Sequence, residues 1–139
     1  MNATAEKVID VQITMKVSED TLVSAFASGN ISGPFGYAYW CDGVRLAGSR
    51  NDGDAERVAK SLLNGADVKV IEIEVERTGK RIAHTLTREA FLRGFGRWAI
   101  ESNRAGNTDE ATGVTDFDID APASDMILQY AVFNEQKYG

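Results

Sequence analysis

Chemistry needs side chains that carry protons, electron pairs or metal ions, and this chain of 139 residues holds few of them in useful combination. It has one histidine, His84, one cysteine, Cys41, and one run of alternating acids, Asp116, Asp118 and Asp120. An imidazole is the usual proton carrier near neutral pH, so His84 would serve as the base of any acid–base chemistry. No serine or cysteine nucleophile announces itself beside it, and its alternation with Ile82 and Leu86 reads as a partly buried core histidine. Cys41 sits in an aromatic run, the setting of an inert buried thiol rather than a reactive one. The acidic run resembles a calcium loop only at its start. Such a loop wants Gly at its sixth position and Glu at its twelfth, where this chain has Ala121 and Ile127. Phe117 and Ile119 alternate with the acids, so the run reads as a short edge strand leading into an Asp helix cap. Gly94-Phe95-Gly96 lacks the preceding strand and the spacing of a dinucleotide fingerprint. There is no phosphate-loop GKS or GKT, no HExxH and no GxSxG. The expectation is therefore of no enzyme, no catalytic residues, no metal site and no cofactor.

The chain is long enough for one domain, 1–139, and a chain of this size buries about two-thirds of its unfolded surface. One cysteine permits no intrachain disulfide, which suits a reducing compartment. No apolar run approaches the ~20 residues that cross a bilayer, and Met1 to Lys7 is too polar for a signal peptide. A cytoplasmic protein without membrane contact is expected, with residues 1–7 disordered. The net charge of −6 disfavours nucleic acid, which calls for a positive surface. The charge is unevenly spread. Arg77, Lys80, Arg81, Arg88, Arg93, Arg97 and Arg104 face only Glu89 and Glu101, whereas Asp109, Glu110, Asp116, Asp118, Asp120, Asp125 and Glu135 face only Lys137. The two stretches either neutralise each other in the fold or present patches to a partner.

The elements that must position these residues follow from pattern. Ile9, Val11, Ile13, Met15 and Val17 alternate with polar residues, the clearest strand signal in the chain. Ser18 then caps a helix with Leu22, Val23, Phe26 and Ala27 on one face, stopped by Gly29. Asn30 to Gly36 reads as a loop and Tyr37 to Cys41 as a short strand, followed by an Asp42-Gly43 turn. Asp54 opens a second helix, after the loop-like Gly48 to Gly53. Ile71, Ile73 and Val75 alternate with Glu72, Glu74 and Glu76, predicting a strand with a solvated acidic face. Thr78-Gly79 turns it into a third strand, Ile82 to Leu86. Thr87 caps the main helix, whose Gly94 and Gly96 would let it lie close against the sheet. Asn103 to Thr115 reads as a mobile polar loop, and a last helix starts near Asp120 with Pro122 in its first turn. The pattern predicts an α+β single domain, a three- or four-stranded, mostly antiparallel sheet with about four helices mainly on one face.

The stretch Leu128-Gln129-Tyr130-Ala131-Val132-Phe133-Asn134-Glu135-Gln136-Lys137-Tyr138-Gly139 resembles the ending of a large family of small bacteriophage and prophage proteins. Many of those close on LQYALFGE, two apolar residues, then YG, with an acid before the motif where this chain has Asp125. Leu22 to Gly29 with Tyr37 to Trp40 is similar to the family's helix, glycine and YW segment, and Leu86 to Trp98 to its LTxxxLxxG helix. Asn134 stands where the family prefers Gly, and Gln136-Lys137 replaces the apolar pair. The resemblance implies a phage or mobile-element setting in a bacterial host cell. It further implies an accessory protein that binds and inhibits a host defence factor, as anti-CRISPR and anti-restriction proteins do. Candidate contacts to such a host protein are Asp116, Asp118, Asp120 and Asp125, with Tyr37, Tyr39 and Trp40, since aromatics anchor interfaces. The Tyr37–Trp40 run would also serve a homodimer. The alternatives are a nucleic-acid-associated module using Arg88, Arg93, Arg97 and Arg104, and a phage structural or assembly accessory.

Overall fold

The computed structural model describes residues 6–29, 37–48, 54–74, 78–102 and 106–139. The loops expected at 30–36 and 49–53, together with Arg77 and Arg104, lie outside the described residues, as do residues 1–5 of the stretch expected to be disordered. In chain order the elements are β1 (Lys16–Val17), α1 (Glu19–Ala27), β2 (Cys41–Leu46), α2 (Ala55–Leu63), β3 (Val68–Ile73), β4 (Arg81–Leu86), α3 (Arg88–Glu101), β5 (Asn107–Thr108), β6 (Val114–Asp116) and α4 (Ala121–Phe133). The α+β class and four helices are as the pattern predicts. The strands, however, divide between two three-stranded sheets instead of joining in one. β2, β3 and β4 form an antiparallel meander, with the 3–4 hairpin in register from Val68 opposite Leu86 to Ile73 opposite Arg81. β6 lies between β1, to which it is parallel, and β5, to which it is antiparallel.

Local chemistry sets the helix starts. Ser18, Asp54, Thr87 and Asp120 each accept a hydrogen bond from a backbone N–H in the first turn, at Thr21, Glu56 and Arg57, Ala90 and Ala123 respectively. A cap of this kind contributes about 1 kcal/mol. At the other end of α4, Asn134 takes the left-handed conformation with φ 60°. Glycine adopts that conformation most easily and asparagine next.

Five expectations are corrected by tertiary structure. The alternating segment 9–17 pairs only at Lys16 and Val17, because its neighbour β6 is three residues long. Residues 6–15 lie outside any helix or ladder, with Val8, Ile9, Val11 and Ile13 between 71% and 81% exposed. Tyr37 to Trp40 forms turns, and the strand begins at Cys41 and runs on to Leu46. The Asp42-Gly43 pair lies within it at a shift of register, and the positive φ of Gly43, 133°, serves a bulge instead of a turn. Residues 103–105 of the expected loop lie outside the described residues, and over 106–115 the short hairpin of β5 and β6 replaces it. The acidic face of β3 is the fourth correction: Val68, Val70 and Glu72 point inward and Ile71 and Ile73 are half-buried, so Glu72 is in the core.

The fifth concerns Gly94. α3 lies close not to a sheet but to α4, and a Cβ on Gly94 would come within 2.7–2.9 Å of the backbone and side chain of Ala131. Around this crossing the core fills with rings. Phe26 meets Phe91 edge-on at 5.8 Å, and Phe95, Trp98 and Phe117 form a second cluster at 5.5–5.8 Å. Gly96, two residues along the same helix, has no atom within 4 Å of the corresponding Cβ position. The two glycines therefore respond oppositely to alanine. Gly94→Ala overpacks the crossing and destabilises by about 1–3 kcal/mol, whereas Gly96→Ala gains up to about 1 kcal/mol of helix propensity. Urea denaturation of the two variants beside the wild type measures both signs.

Candidate functional site

A cluster of ionisable groups forms where the residues after α4 return to the β2–β3–β4 sheet. Glu72 on β3 is fully buried, and burial alone would raise its pKa. Three donors reverse that effect. Lys137 Nζ stands 2.6 Å and Tyr138 Oη 2.5 Å from Oε2, and His84 Nε2 stands 2.8 Å from Oε1. Together they hold the carboxyl below its ordinary value of 4.5. His84 reaches Glu72 because β4 pairs next to β3, two residues offset on the same sheet face; its ring meets Phe133 edge-on at 5.3 Å. Tyr138 is held as a phenol, burial first and the Glu72 carboxylate second pushing its pKa far up. Cys41 is likewise held as a thiol, its pKa raised to about 11 chiefly by burial.

A second set of bonds fixes the residues after α4. The Gln129 side chain, fully buried, accepts from the Tyr138 backbone N–H at 2.8 Å and donates to the Tyr138 carbonyl at 3.1 Å. This closes a two-bond bridge like that between neighbouring strands. Gln129 also donates to Asp125, which accepts from the Trp40 indole at 2.6 Å. Burial raises the Asp125 pKa despite these two donors. The Tyr138 ring stacks on Trp40 with planes 3° apart, and Tyr39 donates to the Gly139 carbonyl at 3.2 Å. Arg97 of α3 donates to the Asn134 carbonyl at 2.5 Å and lies 4.3 Å above the Tyr130 ring.

The sequence-predicted contacts scatter against this background. Trp40 and Asp125 meet each other in the interior; Trp40 is fully buried and presents no surface to a partner or a second copy. Tyr39 is half-buried and Tyr37 is exposed. Asp116 accepts from Ser18 Oγ at 2.5 Å and Thr21 Oγ1 at 3.1 Å, tying β6 to the start of α1. Asp120 is the cap of α4. Asp118 alone of the acidic run has no hydrogen-bond partner among the described residues, and all three are exposed. Between α1 and β6 lies an open cleft of about 330 Å³ lined by Ser18, Asp20, Thr21, Ser24, Asp116 and Phe117. Of the described candidate arginines, Arg93 and Arg97 stand one turn apart on α3 and Arg88 at its start. Arg88 donates to the Leu63 carbonyl at 3.0 Å, and Arg97 pairs with Glu101 besides its bond to Asn134. Arg93 stands exposed.

Glu72, Gln129, Lys137 and Tyr138 were not among the predicted site residues. The signal for Glu72 was its parity with Val68 and Val70, which outranks the alternation with Ile71 and Ile73 once the strand is started at residue 68. Among the described residues no group of three or more histidines, cysteines or carboxylates is placed to hold a metal ion, and no helix is long and apolar enough to cross a membrane. Comparison with protein-family models, curated proteins and solved structures finds no match to the chain.

The Glu72 cluster makes stability depend on pH with a definite sign. A carboxyl whose pKa is lower in the fold stabilises it above the ordinary value and loses that contribution as pH falls through the folded value. Asp125, with its raised pKa, acts oppositely, favouring the fold at acid pH. Glu72→Gln keeps the shape and removes the charge, so its stability curve flattens below about pH 5 relative to wild type. Glu72→Ala, which takes the acceptor from the buried Tyr138 hydroxyl and leaves a cavity in the core, costs about 3 kcal/mol at neutral pH. Thermal melts of both variants from pH 3 to 7 read the difference.

Proposed function

We propose that the chain is an accessory protein of the phage or mobile-element kind that inhibits a host defence factor, of the CRISPR or restriction class, by protein–protein contact. The observation that carries this reading is the acidic face around the α1–β6 cleft. Glu19 and Asp20 in the first turn of α1, and Asp116, Asp118 and Asp120 before α4, leave five exposed carboxylates on the two short segments that meet there. No lysine or arginine lies within either segment. A face of this kind attracts a basic protein surface and steers its approach. Defence nucleases carry such surfaces to hold nucleic acid, and occupation of that surface by carboxylates would compete with phosphate. The resemblance of residues 128–139 to the phage family supports the same setting.

The structure narrows which acids can be tested cleanly. Asp116, Asp120 and Asp125 each hold two elements or a helix start together, so their reversal would confound binding with folding. Asp20 and Asp118 are exposed and make no such bond. The tagged protein should enrich a defence protein from a bacterial lysate containing CRISPR and restriction systems. The Asp20→Lys, Asp118→Lys double variant should recover it at least tenfold less while keeping the wild-type circular dichroism spectrum. Equal recovery by the variant would remove the acidic face from the contact, and wild-type capture without any defence protein would overturn the inhibitory role.

A further inference from the structure

We propose that residues 9–17 pair antiparallel with the same residues of a second copy, about a two-fold axis at Ile13, to make a dimer through one continuous six-stranded sheet. The reasoning begins with an imbalance. Val8, Ile9, Val11, Ile13 and Met15 are 46–81% exposed, a run of aliphatic surface that soluble monomers rarely leave uncovered. The run has strand periodicity, and its last two residues are already a strand: Lys16 and Val17 pair with Val114 and Thr115 of β6. In the order β1-β6-β5, β1 is the edge, so the side away from β6 is open to a further strand.

Sequence register then selects the occupant. The alternating segment is centred on Ile13. Antiparallel pairing of two copies about that residue sets Ile13 against itself, Val11 against Met15, Ile9 against Val17 and Gln12 against Thr14. Every apolar residue meets an apolar one. Asp10 falls opposite Lys16 twice, once on each side of the axis, so the only charges in the segment are matched. Moving the axis to Gln12 or Thr14 breaks the Asp10–Lys16 pairing. The face is right as well. Val17 packs against the core, and Ile9, Val11, Ile13 and Met15 share its parity, so the apolar row lies on the core side of the sheet. The pairing carries Ile9 of one copy beside Val17 of the other, at the margin of that copy's core. A lone two-stranded ribbon is marginal; here each strand is continuous with the three-stranded β1-β6-β5 sheet of its own copy. This surface is separate from the acidic cleft and does not depend on the function assigned to it.

The full chain should sediment at twice its 15.1 kDa mass at micromolar concentration and dissociate on dilution. Val11→Lys, at a position 77% exposed in the single copy, should give a folded monomer. Asp10→Lys sets like charges opposite and should weaken the dimer at least tenfold, and adding Lys16→Asp should restore it. Under mild oxidation Ile13→Cys should crosslink two copies, being opposite itself, while Ile9→Cys should not; Cys41 is buried and stays out of the reaction. A monomeric wild type at every concentration up to 100-fold above micromolar would overturn the proposal. So would a dimer that Val11→Lys leaves intact, a failure of Lys16→Asp to rescue, or crosslinking of Ile9→Cys as fast as Ile13→Cys.

Discussion

A carboxylate removed from water must find its counter-charges and donors inside the protein, and much of this fold is arranged around meeting that need for Glu72. Its strand neighbour supplies His84, and the residues beyond α4 supply Lys137 and Tyr138. The desolvation of Glu72 is thereby coupled to the path of the chain sixty-five residues later. Hydrophobic burial alone would leave that path weakly specified, since Gln136 and Lys137 offer little apolar surface. The buried charge makes a unique docking position: a tail displaced by one residue would leave Glu72 unsatisfied at several kcal/mol.

α4 is where the constraints meet. Ser124 packs against Gly29 and donates to the Ala25 carbonyl, Asp125 holds the Trp40 indole, Gln129 holds Tyr138 on both backbone groups, and Ala131 fits against Gly94. The helix is consequently buried on most of its circumference and is more apolar than the other three. Gly29, Trp40, α3 and the chain after α4 all contribute to this one cluster. Asn134 takes the left-handed cap, a conformation open to glycine and asparagine.

How much of this was legible depends on the range of the interaction involved. The four helix caps, the β3–β4 hairpin and the apolar helix faces are local, and Ser18, Asp54, Thr87 and Asp120 announced them within a few residues. The parity of Glu72 with Val68 and Val70 pointed inward, but the donors that make its burial tolerable lie on β4 and beyond α4 and cannot be seen from the acidic run around it. Gly94 was marked as a close-approach residue, but not its partner: a missing Cβ says that something comes near, and only the fold says that it is Ala131. The strongest strand pattern in the chain, 9–17, met the opposite limit. Alternation reports a strand's readiness to pair, while the ladder itself needs a neighbour that β6 provides for only two residues.

That unmet readiness and the acidic cleft are covalently adjacent. The chain passes from Val17 directly into Ser18, whose hydroxyl donates to Asp116 at the cleft wall. Pairing two copies through 9–17 brings their acidic segments onto one continuous sheet, and each copy carries a net charge of −6. Repulsion between like-charged copies opposes association and is screened over about 10 Å at 0.1 M salt. The matched Asp10–Lys16 pairs act over shorter distances and are worth at most about 1 kcal/mol each at an exposed edge. Apolar contact, indifferent to screening, supplies the remaining drive. The balance therefore gives a dimer that tightens as salt rises from millimolar to physiological levels, the opposite of an assembly held by its ion pairs. A basic partner bound at the cleft would neutralise the same repulsion, so occupancy of the acidic face and pairing of the copies would strengthen each other by the linkage that any shared electrostatic cost imposes.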